Sequence, residues 1–184
     1  MGTSRTITVI TAPTAEPVTL AEVKETLRVL HNDDDSMISK LIKVAREFAE
    51  AYCSLTVMTT VLERSYDAWP GSEFELDIWP IQSIDSVKYD DTSSPVTEQT
   101  LVVNTDYYAD TTTEGGRIKS VSGFPSTAIK PNPIRVRVTA GYSSRDNVPE
   151  QIKEGIKAYV AYLYDGNEIM AKVAKDILWS ERRI

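Results

Sequence analysis

Apolar positions along this chain recur with two different periods, and the change of period divides it. Residues 6–12 alternate threonine with branched and small apolar residues and predict a short strand or extended arm. Pro13 and Pro17 keep the chain extended beyond it. Thr19 and Glu22 then form a T-x-x-E capping box, with Leu20 opening a helix. Leu20, Val23, Leu27 and Leu30 recur at helical spacing, so a first helix is expected from about Leu20 to Val29. The polar run His31–Ser36 breaks it. Met37, Ile38, Leu41, Ile42, Ala45, Phe48, Ala49 and Tyr52 then lie on one stripe, with Lys40, Lys43, Arg46, Glu47 and Glu50 off it, which predicts a second amphipathic helix. At these lengths neither helix is stable without tertiary packing.

From Ser54 the period becomes two. Residues 57–67 predict a strand, and Trp69–Ser72 a turn. Residues 73–79 place Phe74, Leu76 and Ile78 on one face and Glu73, Glu75 and Asp77 on the other, until Pro80. Further strands are expected at 84–89, 99–103, 106–110, 117–121 and 134–140, with Asp90–Pro95 and Gly115–Gly116 as turns or loops. Short strands at this spacing suggest an antiparallel sandwich or small barrel. Helical spacing returns after Tyr142. Pro149 suits a first helical turn, and Ile152, Ile156, Tyr159, Val160 and Leu163 form the stripe. Asp165–Asn167 provides a glycine stop. A last helix is expected from about Glu168 to Trp179, ahead of the tail Ser180–Ile184. The expected fold class is therefore α+β. Residues 1–53 and 143–184 would form a discontinuous helical bundle, and residues 54–142 an inserted β-rich domain.

Composition narrows the function. The chain has 184 residues, 41% hydrophobic and 26% charged, which is ordinary for a soluble globular protein. A chain of this size buries roughly 70% of its unfolded surface and needs no covalent staples. The net charge is −7. Residues 54–142 carry 12 acidic against 7 basic side chains, whereas residues 143–184 carry 7 of each. An acidic chain is poorly suited to gripping phosphate backbones. The single cysteine, Cys53, excludes an intrachain disulfide and fits a reducing compartment. No apolar run is long enough to span a membrane, and no signal peptide or membrane association is expected. Met1–Thr6 formally matches a myristoylation pattern, but the strand-like residues that follow argue against a lipid site.

Candidate chemistry is sparse. His31, the only histidine, would have to serve any Ser-His-Asp site or histidine metal cluster, and it sits in a polar loop. Cys53 reads as a small buried apolar residue at a helix end. Asp33–Asp35 lacks the spacing of a calcium loop and is expected to cap the following helix. Gly115–Gly116 belongs to no phosphate-binding fingerprint. The alternation of Glu73, Glu75 and Asp77 with apolar residues is what a half-exposed strand shows. Arg135 and Arg137 share a strand face and could meet acidic residues of this chain or of a neighbouring copy. Arg182 and Arg183 lie in a tail expected to be mobile, which suits partner binding better than catalysis.

The order of features resembles a known family. Glu16–Lys24 and Leu27–Val29 lead into the acidic loop Asn32–Asp35 and the helix Ile38–Tyr52. Later come Ile134–Tyr142, the helix opening Val148–Lys153, and the helix end Tyr164–Glu168. In this order they resemble the head–tail connector (adaptor) proteins of long-tailed phages, in their longer form with an inserted β-region. The resemblance covers about residues 16–168. It implies a virion neck protein with no catalysis, no cofactor and no metal. Such subunits form a homo-oligomeric ring, usually a dodecamer, under the portal protein. The ring extends the channel through which DNA passes without sequence-specific binding, and it docks a stopper or tail-completion protein. The helical part and the C-terminal segment would contact the portal, which nominates Trp179, Arg182, Arg183 and Ile184. Arg135, Arg137, Glu73, Glu75 and Asp77 are the candidate contacts between subunits.

Two other classes compete. A β-rich ligand- or host-binding module would need a pocket rimmed by Trp69, Trp79 or tyrosines. A hydrolase would need the carboxylates of residues 33–35 or 73–77, without a metal-ligand spacing or a nucleophile motif to support them.

Overall fold

Thr19 opens the first helix, α1 (Leu20–Leu27), as the capping box requires. Its hydroxyl accepts the Glu22 N–H at 3.2 Å, and the Glu22 carboxylate accepts the Thr19 N–H at 2.5 Å. The helix stops earlier than the apolar stripe implies. Arg28 turns into the left-handed region (φ 57°), and Leu30, expected on the buried stripe, is 96% exposed. The second helix, α2 (Asp35–Cys53), buries Ile38, Ile42, Ala45 and Ala49. Asp34 occupies its N-cap without a capping hydrogen bond. The acidic loop instead ties helices together: Asp34 accepts the Tyr164 hydroxyl at 2.6 Å, and Asp35 pairs with Lys24 at 2.6 Å.

The computed structural model describes residues 5–183, and they fall into two compact units. One joins Pro13–Thr59 to the chain from Tyr142 onward, and the other joins the chain up to Ala12 to Thr60–Gly141. The helical unit is completed by α3 (Glu150–Asp165), α4 (Glu168–Leu178) and a 3-10 turn, Trp179–Glu181. Its core includes Val23, Ile38, Ala45, Ala49, Ile152, Ile156 and Leu178. The Phe48 ring stacks on Tyr159 at 3.8 Å. Gly155 lets α3 approach α4, because a Cβ there would lie 2.5 Å from the Leu178 Cγ. The strand expected from residue 57 starts later. Val57 belongs to the helical unit, donating its N–H to Glu50 at 2.9 Å and accepting the Tyr142 N–H at 3.0 Å.

The other unit holds eight strands among the described residues: β1 (Arg5–Thr11), β2 (Thr60–Tyr66), β3 (Glu73–Glu75), β4 (Ile81–Asp90), β5 (Glu98–Leu101), β6 (Tyr107–Asp110), β7 (Arg117–Ser120) and β8 (Ile134–Ala140). They form a five-stranded sheet in the order β1-β2-β8-β4-β5 and a three-stranded sheet in the order β3-β7-β6. Every ladder is antiparallel. One core serves both sheets, with Leu62, Tyr66, Val87, Val136 and Val138 from the larger and Phe74, Tyr107 and Ile118 from the smaller. The fold is thus mixed, with helices and antiparallel sheets. The small barrel considered from strand spacing is not formed, because β1 and β5 stay separate edges. Residues 5–11, expected with the helical end of the chain, pair with β2 instead. Their pattern showed a strand, and only its long-range partner decides which unit holds it.

Candidate functional site

In the β unit, four of the five candidate contacts between subunits, Arg135, Arg137, Glu73 and Asp77, are engaged inside the chain. Arg135 lies on the central strand β8, opposite Lys88 of β4. Its guanidinium grips Asp90 with two hydrogen bonds of 2.9 and 2.7 Å and reaches Glu98 at 2.8 Å. Lys130 adds a third cationic contact to Asp90 at 2.6 Å. Bidentate pairing of this kind fixes geometry as well as charge. The Arg135 hydrogen bonds hold the buried Asp90 carboxyl well below the usual carboxylate range, against the opposing effect of burial. Arg137 pairs with Glu63 at 2.8 Å, and Glu73 with Arg117 at 3.0 Å and Lys119 at 3.1 Å. Asp77 pairs with the buried Arg64 at 2.9 Å, and Arg64 also donates to the Leu76 carbonyl. Glu75 is exposed on β3. Asp77 lies beyond that strand with φ 48°, so the three carboxylates do not share one ladder face.

Other acids carry their charge on neutral donors. Asp85 accepts from the Ser83 and Thr139 hydroxyls, Asp91 from Ser93, Thr97 and Gln99, and Asp106 from the Val102 N–H.

In the helical unit, the expected mobile tail is held. The Arg183 N–H donates to the Cys53 carbonyl at 2.9 Å. The Arg182 guanidinium lies over the Trp179 ring at 5.3 Å and the Tyr52 ring at 5.7 Å. Trp179 itself is 60% exposed, so a rigid aromatic and cationic patch faces outward here. Ile184, the fourth residue nominated for portal contact, lies outside the described residues, as does the Met1–Ser4 part of the myristoylation pattern.

The remaining candidates stand apart from one another. His31 is exposed, with its ring nitrogens 3.8 Å from Asp33 and Asp34. Cys53 is buried, and that burial pushes its thiol up to about 11, so the thiolate needed for nucleophilic chemistry is scarce. Among the described residues, no group of three His, Cys, Asp or Glu side chains gathers to hold a metal ion, and no helix is long and apolar enough to cross a membrane. Trp69 is packed within the β unit. Its ring stacks on Phe124 at 4.2 Å and its indole N–H donates to the Pro125 carbonyl at 2.9 Å. Sequence reasoning missed the apolar side chains that β1 leaves exposed, Ile7, Val9 and Ile10. The available signal was a strand pattern carrying no charge from Thr6 to Thr11.

Residues 17–101, from the approach to α1 through the end of β5, match the family described as Phage gp6-like head-tail connector protein. This is the same family that the order of features in the sequence resembles. No curated protein sequence matches the chain. Among solved structures, a chain from the neck of an empty gene transfer agent (GTA) particle, computed with C6 symmetry, superposes with a TM-score of 0.81 at 15% identity, covering 97% of this chain and 96% of that one. A chain from the virion of a native GTA particle gives 0.80 at 16% identity, covering 97% and 95%. One from the neck of a native GTA particle, computed with C12 symmetry, gives 0.76 at 17%, covering 97% and 96%. At these identities the likeness establishes the fold, and it does so over nearly the whole of each chain.

Proposed function

We propose that this chain is a head–tail connector subunit of a tailed-particle neck. It works as a structural part, not as an enzyme. The observation that carries the reading is the connector match over residues 17–101, in a chain whose full length has the fold of particle neck chains. In this reading the subunit assembles into a closed homo-oligomeric ring beneath the portal protein. The ring extends the DNA channel and presents a surface to the next neck or tail protein.

The helices α1–α4 form the portal-facing bundle, and the two sheets form the inserted β-layered body. The patch of Trp179, Arg182 and Arg183, with Ile184 beyond it, supplies the portal contact. Its backbone anchor to Cys53 keeps it positioned before docking, which lowers the ordering cost of binding. Asp85, Asp91 and Asp106 give the β unit a negative surface that does not hold phosphates, so DNA slides past it.

Electron microscopy of the purified chain mixed with portal rings tests this. The expected result is an added ring of density on one face of the portal. Failure to bind portal rings, together with normal tailed particles assembled in its absence, overturns it.

A further inference from the structure

The five-stranded sheet has two open edges, and they match each other. On β1, the register Ile7 to Arg64 and Val9 to Leu62 puts Ile7 and Val9 on the face where Leu62, Arg64 and Tyr66 are buried. Yet Ile7 is 48% and Val9 58% exposed, so the core ends one strand short of the sheet edge. Natural edge strands are usually blunted by charge, proline or shortness. From Thr6 to Thr11 this one carries no charge and no proline, and its one irregularity, a register shift between Val9 and Thr11, leaves the stretch Arg5–Val9 regular.

At the opposite edge, Leu101 of β5 sits across from the buried Val87 and so lies on that same core-side face. A single cross-strand row runs Ile7, Arg64, Val136, Val87, Leu101. Beside β5 an open groove of ≈ 380 Å³ is lined by Tyr89, Gln99, Leu101, Asp106, Phe124 and Pro125. Just past the strand, Val102 and Val103 are exposed as well. One edge therefore offers uncovered apolar side chains, and the other a largely polar groove in which Leu101, Phe124 and Pro125 supply the apolar contacts.

Strand direction agrees. Four successive antiparallel pairings make β1 and β5 run the same way. A copy rotated about an axis along the strands therefore sets its β1 parallel to the β5 of its neighbour. Each copy then adds five strands, or about 24 Å of circumference at the usual strand spacing. Such a head-to-tail contact repeats until a ring closes, whereas β1 on β1 would stop at two copies.

We propose that β1 of one copy adds to the β5 edge of the next, with Ile7 and Val9 seated in the groove at Leu101 and Phe124, so that one sheet runs from subunit to subunit. This is strand addition of the kind used in peptide recognition, here between identical chains. It rests on the ring reading above and names the contact that closes the ring.

Cysteine cross-linking of the full chain tests it. Thr6 and Thr100 are exposed and occupy one row, through Ser65, Arg135 and Lys88. In rings formed with portal complexes, mild oxidation of the Thr6→Cys/Thr100→Cys double variant should give a ladder of covalent multimers up to the ring's copy number. Either single variant should stay monomeric on a denaturing gel. Covalent dimers from Thr6→Cys alone, or intact rings with no cross-link in the double variant, overturn the proposal and leave the ring reading standing. If the unsubstituted chain forms no ring with portal complexes, both fall together. As a second measurement, the Ile7→Lys/Val9→Lys variant should keep the monomer's melting temperature and lose ring assembly at least tenfold. Unchanged assembly would overturn the proposal.

Discussion

Glu50 in the helical unit and Asp90 in the β unit are both carboxylates paired with arginine, yet their acidities move in opposite directions. Glu50 accepts from Arg46 at 2.7 Å and from the Val57 N–H at 2.9 Å, but burial dominates and pushes its pKa up. Asp90 is buried too, and there two hydrogen bonds from Arg135, with Lys130 beside them, win and hold it down. At Glu50 the effect of burial outweighs its donors, and at Asp90 the donors outweigh burial. Each unit has its own apolar core, but Glu50 is a charge held against burial, whereas Asp90 is held ionised by its cationic donors.

The largest effect that would sharpen this contrast is on packing. Leu178→Ala removes the side chain that fills the α3–α4 contact at Gly155 and should cost about 3–4 kcal/mol. Urea unfolding followed by amide signals should show the loss in the helical unit, with the β-unit signals unmoved. Equal loss in both units would break the distinction. Next comes Arg135→Ala, which leaves Asp90 with Lys130 alone and should cost about 2–3 kcal/mol, borne by the β unit. If Arg135→Ala were neutral, the sheet would not depend on its charges. Thr19→Ala removes one half of the capping box and should cost about 1 kcal/mol, read as a small drop in the helical unit's urea midpoint.

The smallest effect is a difference in acid response. Asp90 has a lowered pKa in the folded chain, so its stabilisation is present above the unfolded value of about 4 and is lost as pH falls toward the folded value. Glu50 has a raised one, so its protonation on acidification relieves a cost instead. Amide signals recorded on stepping the pH down through 4 should therefore weaken in the β unit before the helical unit. The reverse order would contradict the assignment.

Local signals were readable in the sequence and long-range ones were not. The capping box at Thr19 and Glu22 marks the start of α1 because both partners lie within one turn. The alternation at Phe74, Leu76 and Ile78 correctly reports burial, although only Glu73–Glu75 of that stretch pairs as a strand, and the α2 stripe does so except at its margins, where Met37 is exposed and Arg46, expected off the stripe, is buried against Glu16 and Glu50. Alternation records which side faces a core, not whether a ladder forms. The stop at Arg28 was hidden because a non-glycine residue takes the left-handed turn. Partner choice was hidden for the same reason throughout. Nothing near Arg135 identifies Asp90, 45 residues away, and nothing near Arg183 identifies the Cys53 carbonyl. The resemblance to connectors was readable because it is carried by the order of many weak local features.

The order of strands in the larger sheet has a consequence for synthesis. The β8 strand lies between β2 and β4, so the sheet has no centre until residues 134–140 exist. The core of the helical unit likewise waits for Leu178. A nascent chain on the ribosome can form α1 and α2 as fluctuating helices, but the sheet waits for residues 134–140 and the helical core for Leu178. Released fragments ending before Ile134 should be digested rapidly by protease while the full chain resists, and persistence of such fragments would contradict this. Chains broken off early are thereby left to proteases by their own failure to fold, a form of quality control that needs no separate inspector.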